Sequence, residues 1–216
     1  MSLTTEESPR TYPAERTKAF VDAVVAIAMT LLILPLMDSA GDSASGGENG
    51  AAWLSQNSSQ LVSFVLSFVI IAMFWISQHR MLDPVRRVTA RLIWLLVAWM
   101  LSIVWLPVAT ALTGQMSSTD PVAKMLYIGG MTVTALLSVA LHAYLLRHLG
   151  LGDLTVQSQR SGMAVDLSLA CLFVLALAIT LIFPHVGYYS LLILLASGPV
   201  QRLFHRLVGM KTDSAG

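Results

Sequence analysis

The chain has 216 residues, 56% of them hydrophobic and 12% charged, with a formal net charge of +1. The charged share is about half of that in a typical soluble domain, and the small net charge argues against nucleic acid as a partner. The one cysteine, Cys171, excludes an intrachain disulfide. This composition is typical of a membrane protein.

The first apolar run defines the first predicted span. Residues 1–15 are polar and predict a mobile tail, and Ala19–Met37 then gives 19 residues, enough to cross the roughly 30 Å hydrocarbon core as a helix. Asp22 lies inside this run, and a carboxylate there costs about 2.5–3.5 kcal/mol, so we expect it to have a partner or a water-filled path. Signal-peptide cleavage after Ala40 is the alternative, but the run is longer than an h-region.

Later apolar runs complete a six-span pattern. Residues 38–57 are rich in Gly, Ser and acidic residues and predict a flexible loop. The predicted fold is an all-α membrane protein with one six-helix domain over residues 16–207, followed by a tail at 208–216. The spans cover about 17–37, 58–78, 91–112, 122–147, 163–183 and 186–206.

The basic residues predict the orientation. Of the 13 Lys and Arg residues, all but Lys124 fall at the N-terminus, in the loops after the second and fourth spans, or at the C-terminus. Cytoplasmic loops of membrane proteins carry such an excess. We therefore predict a multi-pass protein with both termini in the cytoplasm.

The first helix carries a stripe of small and apolar side chains. At 100° per residue, Asp22 points away from this stripe. Spacing alone fits a packing face as well as a pore lining, and a single helix of this kind encloses a pore only in a symmetric oligomer. The stripe consists of Ala23, Ile27, Thr30, Leu31 and Leu34.

Catalytic and cofactor motifs are missing from the sequence. There is no Walker loop, dinucleotide fingerprint or H-E-x-x-H, and no T-V-G-Y-G filter of the familiar potassium channels. Ser197-Gly198 could suggest an intramembrane hydrolase, but small residues in membrane helices usually serve close packing. We therefore predict neither an enzyme nor a cofactor.

Two further polar residues lie in predicted spans. His142 follows Gly130, Thr134 and Ser138 at i+4 spacing, which predicts a helix–helix seam with His142 hydrogen-bonded inside it. A proton-relay role for His142 is the alternative. Asp166 begins the fifth predicted span, so we expect it to be solvated.

The first two spans carry motifs that resemble a known family. Residues 16–22 read R-T-K-A-F-V-D, residues 26–34 read A-I-A-M-T-L-L-I-L, and residues 75–80 read W-I-S-Q-H-R. These segments resemble the R-x-x-x-F-S-D signature, the following first-helix pattern and the W-x-x-x-H-R motif of the transmembrane protein 175 family. Members of that family are potassium-permeable channels of lysosomes and bacteria.

The resemblance implies a channel in which four six-helix units surround a central pore lined by the first helix. It places the main apolar constriction at Ile27, five residues after the motif Asp22. Leu31 and Leu34 would form further rings and Thr30 would contribute to selectivity, with permeant potassium near Ile27 and Thr30 and no fixed metal. The resemblance also implies an intrasubunit network of Arg16, Phe20, Asp22, Trp75 and His79.

We therefore expect a potassium-permeable cation leak channel, a homotetramer in the bacterial inner membrane whose partners are the lipid bilayer and monovalent cations. Asp38 directly follows the pore helix, where an acidic group would concentrate cations at the extracellular mouth. The alternative function is a non-conducting scaffold, or a small proton-linked transporter that uses Asp22 and His142.

Overall fold

The computed structural model describes residues 11–47, 49–115 and 120–182. Within these residues the chain is almost entirely helical, with one short antiparallel strand pair and a 3-10 turn at Leu149–Leu151. The elements in chain order are β1 (Thr11–Pro13), α1 (Glu15–Leu31), α2 (Leu34–Ser45), α3 (Gly50–Gln56), α4 (Ser58–Leu82), β2 (Arg87–Thr89), α5 (Ala90–Gln115), α6 (Pro121–Arg147) and α7 (Val156–Ile182).

Five membrane-length apolar segments occur in the described part of the chain. They are α1 together with α2, then α4, α5, α6 and α7. This confirms the predicted all-helical membrane class. The sixth predicted span at 186–206 and the tail at 208–216 lie outside the described residues.

The first span is longer than predicted and is interrupted once. Pro35 occupies the first turn of α2, and its ring nitrogen has no hydrogen to donate to the carbonyl of Leu31. The helix therefore breaks at residues 32–33 and then continues to Ser45. The flexible loop predicted for 38–57 was wrong for residues 38–45 and 50–56, which are helical.

Loops from three parts of the sequence meet at one end of the helices. β1 pairs with β2 from Thr11↔Thr89 to Pro13↔Arg87, so residues 11–13 of the predicted mobile tail form a strand. The amide of Arg86 donates to the carbonyl of Leu151 at 2.9 Å. These contacts hold the N-terminal segment, the α4–α5 connection and the α6–α7 turn together. We call this end of the molecule the basic end, since these connections carry most of the described basic residues.

Hydroxyl and indole groups join α5 to α6 in the interior. The indole Nε1 of Trp99 donates to Ser138 Oγ at 3.0 Å, and Thr134 Oγ1 donates to Ser102 Oγ at 3.0 Å. Buried polar groups must find such partners because desolvation without a hydrogen bond is costly. The predicted seam through Thr134 and Ser138 therefore faces α5.

Candidate functional site

The predicted stripe of α1 lies on the outside of the subunit. Ile27 is 59% exposed, and Leu31 and Leu34 are also exposed. The opposite side of the helix is buried against α4 and α5 by side chains that alternate with the stripe at helical spacing, namely Val21, Val25, Ala28 and Leu32. Packing within the subunit thus orients α1 and leaves the stripe exposed among the residues that the structure describes.

Thr30 lies in the same exposed stripe. Its hydroxyl donates to the carbonyl oxygen of Ile27 at 2.8 Å. A threonine hydroxyl has one hydrogen and two lone pairs, so this bond uses the hydrogen and leaves the oxygen free to accept. The stripe therefore offers one ligating oxygen among apolar side chains.

Asp38 lies in helix α2 rather than in a loop, and it is exposed. It follows Leu34 by four residues, which places the two on neighbouring positions of one helical face. The carboxylate therefore stands near the α2 end of the exposed stripe, away from the basic end.

Three of the five predicted network residues meet at the α1–α4 contact. The indole Nε1 of Trp75 donates to Asp22 Oδ1 at 2.8 Å, and His79 Nδ1 lies 3.9 Å from the same oxygen. The Trp75 and His79 rings are tilted, with centroids 5.6 Å apart. The Asp22 side chain is 42% exposed within the subunit, so the carboxylate has a partner in Trp75 and is only partly buried.

Arg16 and Phe20 lie outside this contact. Both are exposed, and Arg16 forms no hydrogen bond or ion pair with any described residue. Lys18 is the basic residue that ties α1 to the end of α4, because its Nζ donates to the carbonyl of Asp83 at 3.0 Å. Lys18 also pairs with Glu15 at 3.2 Å.

A buried acid–imidazole pair, which sequence reasoning missed, joins α4, α6 and α7. His142 Nδ1 lies 3.0 Å from Asp166 Oδ2, and both side chains are 3% exposed. The direction of this contact does not meet the geometry of a hydrogen bond. Ser77 Oγ donates to the other carboxylate oxygen at 2.8 Å. The expected solvated position of Asp166 was wrong.

Helix geometry explains why Asp166 is buried and why its contact with His142 was missed. α7 begins at Val156, before the apolar run, which puts Asp166 about 15 Å along the helix at 1.5 Å per residue. Residues at i+4 spacing turn about 40° beyond each full turn, so His142 has rotated about 120° from Gly130 and faces α7 instead of α5. Gln159 and Asp166, seven residues apart on one helix face, were the available signal in the sequence.

Comparisons with known proteins agree with this architecture. The family model described as "Endosomal/lysosomal potassium channel TMEM175" matches residues 16–107. A protein of Chryseobacterium sp. (strain P1-3), named a potassium channel, is 24% identical over 193 residues, 87% of this chain and 94% of its own. A second potassium channel by name, from Streptomyces collinus, is 32% identical over 137 residues, 61% of this chain and 64% of its own.

Two solved structures share the fold. A variant of the potassium channel MtTMEM175, in complex with a nanobody–MBP fusion, has a TM-score of 0.64 at 16% identity and covers 97% of this chain and 100% of that one. A lysosomal potassium-selective channel TMEM175 homologue from Chamaesiphon minutus has a TM-score of 0.63 at 21% identity, covering 89% and 96%. The family-model match over residues 16–107, the named relatives and the shared fold agree: the chain is similar in sequence and fold to potassium channels of the TMEM175 family.

Proposed function

We propose that the chain is a potassium-permeable cation channel in which four subunits place α1 around a central pore. The observation that carries this proposal is the orientation of α1. Its buried side is occupied by α4 and α5, while Ile27, Leu31 and Leu34 remain exposed in the subunit. The names of the relatives from Chryseobacterium and Streptomyces support potassium as the permeant ion.

The proposed gate consists of rings of apolar side chains. A narrow apolar passage offers an ion no replacement for its hydration shell and can close by dewetting. Ile27 forms the main ring in this proposal, and Leu31 and Leu34 form further rings. Thr30 supplies the nearby hydroxyl oxygen, so selectivity depends on pore width and on this group rather than on a carbonyl filter.

We further propose a bacterial inner-membrane location with cytoplasmic termini. The basic end supports this orientation, because β1, β2 and the α6–α7 turn are joined there by backbone contacts. Positively charged connections favour the cytoplasmic side. Asp38 then faces the opposite, extracellular side at the pore mouth.

The described contacts argue against the alternative of a proton-linked transporter that uses Asp22 and His142 together. Asp22 contacts Trp75, while His142 is joined to α4 through Asp166 and Ser77. Residues 75 and 77 differ by about 200° around the helix axis. The two acidic sites therefore lie on opposite sides of α4 and share no cavity among the described residues.

The first test measures potassium flux from liposomes that contain purified protein. Ile27→Ala and Ile27→Asn are expected to raise the flux and weaken the preference for potassium over sodium, because a smaller or polar ring wets more easily. Leu101→Asn is the matched control, since Leu101 is also exposed and apolar but lies on α5. A scaffold would show no flux in any variant, and a coupled transporter would show saturable substrate dependence.

Cysteine accessibility tests the direction of the stripe. Cys171→Ala removes the chain's one cysteine, and single cysteines are then introduced as Ile27→Cys and Leu101→Cys. A charged, water-soluble thiol reagent should modify the first and block flux, while the lipid-facing control stays unmodified. Equal protection of both positions would overturn the pore-lining role of α1.

A further inference from the structure

A cavity of about 410 Å³ lies between α4, α6 and α7, near the basic end of the molecule. Its volume falls in the range of roughly 300–1,000 Å³ that small-molecule sites occupy. The cavity is separate from the exposed stripe of α1. Its described lining is polar on one side and apolar on the other, and residues from three helices contribute.

Arg80 supplies a cation to this cavity. It is exposed in the last turn of α4 and forms no hydrogen bond or ion pair with any described residue. The Asp166 carboxylate nearby is already shared by His142 and Ser77. The guanidinium is therefore available to an anion, and its planar fork matches two oxygens of a phosphate.

Gln159 supplies a buried amide to the same cavity. The residue is 2% exposed, and its Oε1 has no hydrogen-bond partner. A buried carbonyl oxygen without a donor is costly, about 1–3 kcal/mol. Rotation of the terminal amide exchanges its oxygen and nitrogen positions, so Gln159 can present the oxygen to a donor in the cavity.

The apolar wall leads from these polar groups to the outer surface of the subunit. Met73 and Ile76 of α4 line the cavity and are each 40% exposed, and Val165 and Leu169 of α7 lie opposite. An exposed apolar surface of this kind on a membrane-length helix suits contact with the hydrocarbon. The cavity thus has a polar end that suits a lipid headgroup and an apolar opening at its side that suits an acyl chain.

We propose that this cavity binds one glycerophospholipid from the leaflet at the basic end. The phosphate pairs with Arg80, a hydroxyl or ammonium donor of the headgroup bonds the Gln159 oxygen, and an acyl chain lies along Met73 and Ile76. Basic pockets between membrane helices commonly bind lipid headgroups in this way. The site is independent of ion conduction and goes beyond the proposed channel function.

Because the Gln159 oxygen needs a hydrogen-bond donor, the site should prefer lipids whose headgroup carries one. Phosphatidylglycerol and phosphatidylethanolamine both carry a hydrogen-bond donor beyond the phosphate, whereas the choline of phosphatidylcholine carries none. We expect the first two lipids to bind more tightly than phosphatidylcholine. A site that recognises only charge would instead bind phosphatidylethanolamine and phosphatidylcholine equally, since both are zwitterionic.

The test is native mass spectrometry of the purified full chain titrated with each of the three lipids. Arg80→Gln should weaken binding of all three by about tenfold, the usual effect of losing a charge-assisted bond. Arg91→Gln is the control, because Arg91 is also exposed at this end but does not line the cavity. Gln159→Leu should abolish the preference over phosphatidylcholine.

Three results would overturn the proposal. One is equal binding by wild type and Arg80→Gln. Another is equal binding of phosphatidylethanolamine and phosphatidylcholine by wild type. The third is binding of glycerol phosphate as tight as binding of the lipid, which would assign the site to a soluble anion.

Discussion

Two contacts between an acidic and a basic side chain have the same atom separation and opposite burial, so comparing them tests where the fold is sensitive. His142 Nδ1 lies 3.0 Å from Asp166 with both side chains 3% exposed. Arg86 lies 3.0 Å from Asp153 with side chains 65% and 73% exposed. The distance is thus the same in both pairs, while burial and the basic partner differ.

We predict that His142→Leu destabilises the protein by about 3–5 kcal/mol, because it leaves the Asp166 carboxylate buried with Ser77 as its remaining partner. Asp153→Asn should cost at most about 1 kcal/mol, since water replaces an exposed partner. Adding Asp166→Asn to His142→Leu should restore at least about 1 kcal/mol, because the double variant no longer buries an unpaired charge.

The measurement is unfolding by SDS titration in mixed micelles, followed by circular dichroism at fixed protein and detergent concentrations. Gly162→Ala is a second variant of the same site, because its new methyl group would lie 2.5 Å from His142 Nε2 and displace the ring. If His142→Leu costs no more than Asp153→Asn, or if Asp166→Asn adds to its cost, the buried pair does not stabilise the fold as described.

Three further predictions concern α1 and its contacts. Thr30→Val should weaken the preference for potassium with a smaller effect on conductance than changes at Ile27, measured by reversal potentials in biionic solutions; unchanged selectivity would contradict the role of the hydroxyl. Asp38→Asn should lower inward potassium conductance at low ionic strength and have little effect at high salt, and an equal loss at both would refute electrostatic concentration. Asp22→Asn should reduce the tetramer fraction in size-exclusion chromatography more than it alters selectivity, because it weakens the bond from Trp75; a normal tetramer with altered ion preference would place Asp22 in the pore.

The helical membrane class could be predicted because apolar runs of about 20 residues have few other structural solutions. The stripe itself could also be predicted, since Ile27, Leu31 and Leu34 share one helix face, but its exposure could not, because the spacing fits a packing face as well. Hydropathy cannot detect helix turns that are polar and lie at the membrane surface, beyond the apolar run. The first turns of α7 are polar and begin with a bond from the amide of Gln159 to the carbonyl of Thr155 at 3.1 Å, so the start of α7 was missed.

Features that depend on contacts distant in sequence could not be read from local patterns. The strand pairing of Thr11 with Thr89 is only three residues long and has no alternation to reveal it. Asp22 and Asp166 look similar in sequence, each an acid near the start of an apolar run. Which of them is buried depends on whether another helix covers it, and α6 covers Asp166 through His142.

The distribution of polar and apolar side chains in this chain reverses the arrangement of a soluble protein. The buried polar groups, such as Asp166 and Ser138, join helices within the subunit, where lipid would give them no partner. The apolar side chains of the α1 stripe, by contrast, are exposed and are not packed against the other described helices. Changes at Ile27 should therefore alter conduction with little effect on subunit stability, whereas changes at Asp166 should alter stability first. If an Asp166 variant lost conduction, its folding and assembly would have to be measured before the loss could be assigned to the pore.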